Sequence, residues 1–89
     1  MIKDFILYKN YPNPFNPQTV ISYKIRVRSN VVIKINDVLG KEISTLVNEE
    51  KNAGTYEVTF NGDELPSGIY YYKIIIGNFS DTKKMILLK

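Results

Sequence analysis

The chain has 89 residues, of which 44% are hydrophobic and 24% are charged, and its formal net charge is +3. A chain of this length buries roughly 60 to 65% of its unfolded surface, which is enough for one core, so we expect a single domain over residues 1–89. Its basic residues are spread along the sequence, which argues against a nucleic-acid-binding face. The longest apolar runs, 74–76 and 85–88, are far shorter than the roughly 20 residues that cross a bilayer, so we expect no membrane span.

The composition excludes most catalytic chemistry. The chain contains no histidine and no cysteine, which excludes serine triads that use histidine, cysteine nucleophiles, disulfides and the usual zinc sites. The acidic neighbours Glu49 and Glu50 would diverge on a loop, and a glycosidase also needs a cleft. Calcium could bind Asp63, Glu64 and nearby carbonyls, but regularly spaced acids are missing. We therefore predict no enzymatic activity, no cofactor and no metal site.

Apolar residues alternate with polar ones along most of the chain, and this period of two is typical of β-strands. Segments bounded by Gly, Asn, Asp, Ser or Pro predict strands at 5–8, 19–25, 31–36, 42–47, 55–60, 69–76 and 79–88. The residues expected to face the core in the second, third and fifth strands are Ile21, Tyr23, Ile25, Val31, Ile33, Ile35, Tyr56, Val58 and Phe60. Both faces of 69–76 are largely apolar, which predicts a central strand covered on two sides.

Polar and glycine-containing segments between the strands predict tight connections. Residues 28–30 and 61–63 are expected turns, and residues 48–54 are an expected loop that ends at Gly54. Residues 37–40 predict a hairpin loop in which Gly40 takes a positive φ. Gly77 and Asn78 predict a two-residue hairpin. No segment of about 11 or more residues has helical spacing, so we expect no helix.

Seven short strands joined by tight turns predict an all-β, immunoglobulin-like antiparallel β-sandwich. The stretch "LPSGIY" supports this, because such sandwiches often turn into a strand with a tyrosine, here Tyr70, whose hydroxyl bonds back to upstream backbone. Along a strand Tyr70 and Tyr72 point to one face and Tyr71 to the other. This alternation favours packing over a sugar-binding platform.

The segment "YPNPFNP", residues 11–17, interrupts this pattern near the start of the chain. Its prolines fix φ and remove backbone donors, which predicts a stiff connector that does not pair with the strands. Phe15 is expected to plug one end of the sandwich. Asn13 and Asn16 are expected to close local side-chain turns to the backbone.

Four stretches in order resemble one family, the type A C-terminal sorting domain of the type IX secretion system, found on proteins exported by Bacteroidetes-like bacteria. They are "FILYKNYPNPFNPQTVISYKI", "VLGKEISTLVNEEKNAGTYEV", "LPSGIYYYKI" and "TKKMILLK", and together they span nearly the whole chain, from residue 5 to residue 89. The residues carrying the resemblance are Pro12, Asn13, Pro14, Phe15, Asn16, Pro17, Gly40, Gly54, Leu65, Gly68 and Tyr70. Asn36 departs from the family, which usually has an aromatic there, so thinner packing is expected at that point.

The resemblance implies a non-catalytic tag excised from a longer exported protein, with residues 1–10 as an incoming strand and the end of a linker. An N-terminal cargo domain would reach the periplasm through a separate signal. The outer-membrane translocon would then recognise the tag, and a surface sortase would cleave upstream and anchor the cargo to lipopolysaccharide. The implied partners are the translocon, the sortase components and the covalently linked cargo. The implied location is the cell surface or the extracellular space.

The last seven residues are the candidate recognition segment. From the residues alone, a core strand with solvated lysines is favoured, but the resemblance implies that the sorting information lies at this end. The candidates are Lys83, Lys84, Met85, Ile86, Leu87, Leu88 and Lys89. If this strand is a sheet edge, its backbone could add to a partner's sheet, with lysines opposing acids. The alternatives are a passive immunoglobulin-like spacer or adhesion module that binds polysaccharide or protein, and a flagellar scaffold.

Overall fold

A computed structural model describes residues 4–89, which form two antiparallel sheets and no helix. The strands are β1 (Phe5–Leu7), β2 (Gln18–Ile25), β3 (Ser29–Asp37), β4 (Glu42–Lys51), β5 (Gly54–Asn61), β6 (Gly68–Ile76) and β7 (Phe79–Leu87). One sheet has the order β1-β2-β5 and the other the order β4-β3-β6-β7. These are the ABE and GFCC′ sheets of an immunoglobulin-like sandwich. The predicted all-β fold is confirmed.

The core lies between the two sheets and is formed by alternate residues of their strands. The predicted inward residues of β2 and β3 are all at most 1% exposed. Burying a large apolar side chain contributes about 1.5 to 3 kcal/mol, so these faces hold the sheets together. Phe60 is also buried, whereas Tyr56 and Val58 are half-buried and pack against the core. The difference arises because β5 is an edge strand of the smaller sheet.

Two expected connections are shorter than the polar composition suggests. Residues 48–51 belong to β4 and Gly54 begins β5, so the predicted loop at 48–54 is wrong. The reason is pairing, because Val32 lies opposite Asn48 and Ser29 opposite Lys51. The turn predicted at 28–30 is likewise wrong, since β3 begins at Ser29. Backbone pairing of two polar strand ends therefore outweighs their lack of hydrophobic alternation.

The β6 strand is central in its sheet, as predicted, because it pairs with β3 on one side and β7 on the other. The prediction that both of its faces are covered is wrong. Tyr70, Tyr72, Ile74 and Ile76 are buried, whereas Ile69 is 40% exposed. Only one face of this sheet packs on another layer within residues 4–89.

The turns that carry glycine or tyrosine agree with the sequence. Gly40 has φ 86° and Gly77 has φ 58°, both in the left-handed region that favours glycine. Asn36 Nδ2 donates to Gly40 O at 3.1 Å, so this side chain stabilises the hairpin turn. The Tyr70 hydroxyl donates to Pro66 O at 2.6 Å, which confirms the predicted tyrosine corner.

Candidate recognition site

The candidate segment lies on β7, an edge strand whose neighbour in the sheet is β6. Its side chains alternate between the core and the surface. Met85 and Leu87 are 0% exposed, so their side chains cannot be read by a partner. Lys84 is exposed, Ile86 is half-buried, and Leu88, just after the strand, is 54% exposed. The seven predicted residues therefore do not form one recognition surface.

The proline-rich segment covers the last part of β7. The Phe15 N–H donates to Ile86 O at 2.9 Å, and the Leu88 N–H donates to Phe15 O at 3.0 Å. In the other sheet, Tyr11 exchanges two backbone hydrogen bonds with Val20. The predicted non-pairing connector is thus wrong, because Tyr11 and Phe15 keep their N–H groups and donate them to Val20 O and Ile86 O.

The two asparagines of this segment do not behave as expected. Asn13 Oδ1 accepts the Ile86 N–H at 3.0 Å, across a sequence separation of 73 residues. Its predicted local turn is therefore wrong. The Asn16 side chain makes no hydrogen bond within residues 4–89. The peptide bonds before Pro12, Pro14 and Pro17 are all cis.

Phe15 closes one end of the sandwich, as predicted. Its side chain is 1% exposed and meets the Phe60 ring edge-on, with centroids 6.0 Å apart. Gly62 lies beside it, and a Cβ at that position would approach Leu87 Cδ2 to 3.0 Å and Phe15 Cε2 to 3.4 Å. A side chain at residue 62 would therefore press against both Leu87 and the Phe15 ring, a constraint that the sequence showed merely as a turn signal.

The last residue is held by the same end of the fold. The Lys89 N–H donates to Ser67 Oγ at 3.0 Å, and its ammonium group contacts Asp63 O. Lys83 and Lys84 form no ion pair with any other residue in the range 4–89. The same range contains no cluster of three or more potential metal-binding side chains. No helix in it has the length and apolar character needed to span a membrane.

The family model for a secretion system C-terminal sorting domain matches residues 9–88. The chain belongs to this family. No curated protein sequence matches the sorting domain. Its ordered motifs had already indicated the same family, and the match covers nearly the whole chain.

Two solved structures from Porphyromonas gingivalis share the fold. Dimeric latent PorU matches with a TM-score of 0.74 and 18% identity over 98% of this chain and 10% of that protein. PorZ, described as an essential bacterial surface component of the type IX secretion system, matches with a TM-score of 0.65 and 21% identity over 93% of this chain and 11% of that protein. The sorting domain thus spans about a tenth of each.

The remaining motif residues of the sorting domain lie at connections between strands. Gly54 begins β5 and Gly68 begins β6. Leu65 is partly buried against the core, and its N–H donates to Gly62 O at 3.0 Å. Pro17 O accepts the Gly62 N–H at 2.8 Å. These contacts show how the motif residues pack and hydrogen-bond within the fold. Their role in sorting stays a prediction.

A buried polar network, which sequence reasoning missed, ties the start of the sorting domain to β6. The Tyr72 hydroxyl donates to Tyr8 O at 2.8 Å and accepts the Asn10 N–H at 2.9 Å. Asn10 Nδ2 donates to Thr19 Oγ1 at 2.9 Å, and Thr19 Oγ1 donates to Pro12 O at 2.8 Å. One residue could have indicated this network from the sequence. Thr19 is polar but stands at an inward position of β2, where it needs a hydrogen-bond partner.

Replacing Tyr72 with phenylalanine should lower the free energy of unfolding by about 1 to 3 kcal/mol at neutral pH, because the buried Asn10 N–H and the partly buried Tyr8 O lose their partner. Burial raises the pKa of Tyr72. A raised pKa in the folded state means that this stability is complete below the unfolded pKa of about 10 and is lost as the pH rises through the folded value. Urea unfolding between about pH 7 and 11 should show a smaller alkaline loss for the variant.

The matched control is Tyr71→Phe, since Tyr71 is half-exposed on the opposite face of β6. Its free energy of unfolding at neutral pH should change by less than about 0.5 kcal/mol, because the substitution leaves both hydrogen bonds of the Tyr72 hydroxyl in place. Burial also raises the pKa of Tyr23. Both variants should therefore still lose some free energy of unfolding as the pH rises. Equal slopes for Tyr72→Phe and Tyr71→Phe would show that the network does not control alkaline stability.

Proposed function

We propose that this sorting domain is a non-catalytic signal that sends a covalently attached N-terminal cargo across the outer membrane through the type IX secretion system. The family match over residues 9–88 carries this proposal. In this scheme the cargo reaches the periplasm by its own signal, and the translocon binds the domain. A surface sortase then cleaves upstream of it and anchors the cargo at the cell surface.

The arrangement of the two chain ends supports this role. Phe5 pairs with Ile25 and Asp4 O accepts the Arg26 N–H at 2.8 Å, so the start of the described chain lies at one end of β2. Lys89 is bound by Ser67, beside the Phe15 plug at the opposite end of the sandwich. A cargo joined before β1 would therefore leave the C-terminal end free for the export machinery.

The start of the domain also limits where the cargo can join. Phe5 and Leu7 are 2% and 4% exposed and belong to the core, so β1 is part of the folded sandwich. Residues 1–10 are predicted to be an incoming strand and the end of a linker. Of these, residues 1–3 lie outside the described part of the chain. We propose that cleavage by the sortase occurs upstream of β1, because removing β1 would expose the core.

The proposed recognition segment remains residues 83–89, with different roles for its members. Lys84 and Leu88 offer an exposed charge and an exposed apolar side chain. Met85 and Leu87 are buried and hold the strand in place. A recognition element on a strand fixed by core packing loses little conformational freedom on binding, which favours affinity.

Charge reversal at Lys84 should reduce export without affecting the fold. For a fluorescent cargo fused to residues 1–89 in a bacterium with a type IX system, we expect Lys84→Glu to lower the secreted fraction about fivefold, because the reversed charge would repel an acidic partner. The melting temperature of the isolated domain should stay nearly constant, since exposed substitutions usually change stability by less than about 0.5 kcal/mol.

The control is Lys24→Glu, which reverses an exposed lysine on the other sheet. It changes the net charge equally, and its export should match that of the unchanged domain. Equal export of the Lys84 and Lys24 variants would show that Lys84 is merely a solvated charge. Retention of the unchanged fusion in the periplasm would contradict the proposed function itself.

A further inference from the structure

The backbone of β7 is open along part of its outer edge. The Ile86 N–H and C=O point away from β6, since they bond Asn13 Oδ1 and the Phe15 N–H. Peptide groups in an antiparallel strand alternate in direction, so Lys84, Thr82 and Ser80 also point their N–H and C=O groups away from β6. The intervening residues direct theirs toward β6.

These outward groups have no backbone partner within residues 4–89. The open stretch begins after the turn at Gly77 and ends where Asn13 and Phe15 cover Ile86 and Leu88. From Ser80 to Lys84 it spans about 13 Å at the usual rise per residue. It is therefore long enough for a segment of about five residues to pair with it.

The other edges of the sandwich offer less favourable sites for such pairing. β1 has only three residues. β4 pairs with β3 through two register irregularities, and bulged edges resist strand addition. β5 is the second long regular edge, but the side chain in the middle of its exposed face is the acid Glu57. The β7 edge carries one acid, the half-exposed Asp81, but its lysines outnumber it, with Lys84 exposed and Lys83 half-exposed.

We propose that residues 80–84 of β7 bind an extended segment of a partner protein by β-strand addition, with an acidic side chain of that segment opposite Lys84. Backbone hydrogen bonds to Ser80, Thr82 and Lys84 supply the affinity. The ammonium group of Lys84 favours a partner segment with an acidic side chain at the facing position. The proline-rich segment limits the register, because it already occupies the edge at Ile86 and Leu88. This site deepens the proposed function, on which it rests for the identity of the partner as export machinery.

Amide hydrogen exchange in the free 89-residue chain tests the open edge directly. The amides of Ser80, Thr82 and Lys84 should exchange at least about 100-fold faster than those of Asp81, Lys83 and Met85, which pair with β6. Equal protection of both sets would overturn the proposal. Protection that grows with protein concentration would also overturn it, by showing that a second copy occupies the edge.

Proline substitution then tests whether export uses this edge. Thr82→Pro removes an outward N–H and places a ring in the path of an added strand, while the β6 hydrogen bonds are kept. The secreted fraction of the fluorescent fusion should fall about fivefold or more. The matched control is Thr59→Pro on β5, an exposed threonine opposite Val20. The Val20 peptide groups bond Tyr11, so the Thr59 N–H also points outward, and export should persist.

The outcomes separate this site from the proposed function. Full export of a folded Thr82→Pro fusion would overturn strand addition while leaving the secretion role intact. Failure of the unchanged fusion to be exported would overturn both. Ser80→Pro makes the same change at the next outward position, and its export should fall in parallel. If neither variant folds, the exchange rates of the unchanged chain decide the question.

Discussion

Replacing Phe15 with alanine is expected to lower the free energy of unfolding by about 3 to 5 kcal/mol, a large share of the roughly 5 to 15 kcal/mol that holds a domain of this size together. The phenyl ring is 1% exposed and fills the end of the sandwich against Phe60 and beside Leu87. Its removal would leave a cavity between two chain segments that are fixed by backbone hydrogen bonds, so the gap cannot close easily. Urea unfolding of the isolated domain measures the loss.

Tyr11→Ala provides the matched control, since it removes an aromatic ring from the same segment at a position that is 81% exposed. Its stability should change by less than about 0.5 kcal/mol. A similarly small loss for Phe15→Ala would show that the ring is a surface feature. Partner binding at the proline-rich segment would then need to be tested.

Deleting residues 83–89 should leave a full-length cargo in the periplasm and should also unfold the sorting domain. The deletion removes Met85 and Leu87, both 0% exposed, and each such core residue contributes about 2 to 5 kcal/mol. It also removes the edge that Phe15 and Asn13 cover. Fractionation of cells measures export, and circular dichroism of the truncated domain measures folding.

A shorter deletion separates the two effects. Removing only Leu88 and Lys89 takes away exposed side chains and leaves every β7 residue in place. We expect this variant to fold, with a loss of no more than about 2 kcal/mol from the missing hydrogen bonds to Phe15 and Ser67. Normal surface delivery of the long truncation would contradict the proposed function, because it would show that sorting needs neither this segment nor the folded domain.

Local pattern and turn chemistry account for much of the fold. The period-two alternation of Ile21, Tyr23 and Ile25 identified the buried face of β2, because one residue in two must face the core when a sheet is covered on one side. Gly40 marked a turn that needs a positive φ, and Tyr70 marked the corner before β6. Each of these features depends on residues close in sequence, so no knowledge of distant partners was required.

The features that position the candidate site depend on distant partners. Asn13 bonds Ile86 across 73 residues, and nothing local to either residue indicates this contact. The uncovered outer face of β6 likewise follows from the number of layers, since apolar side chains at Ile69 and Ile75 look the same in a strand covered on both sides. Strand order determines both outcomes.

By itself, the sequence determined that this protein is an all-β sandwich of seven strands. It also excluded any chemistry that needs histidine or cysteine, and its ordered motifs indicated a sorting domain. Only the tertiary structure decided that "YPNPFNP" covers one half of the β7 edge and that no backbone from residues 4–89 pairs with the other half. The physical reason is that hydrogen bonding between strands is set by which backbones become neighbours, whereas alternation sets only which side chains are buried.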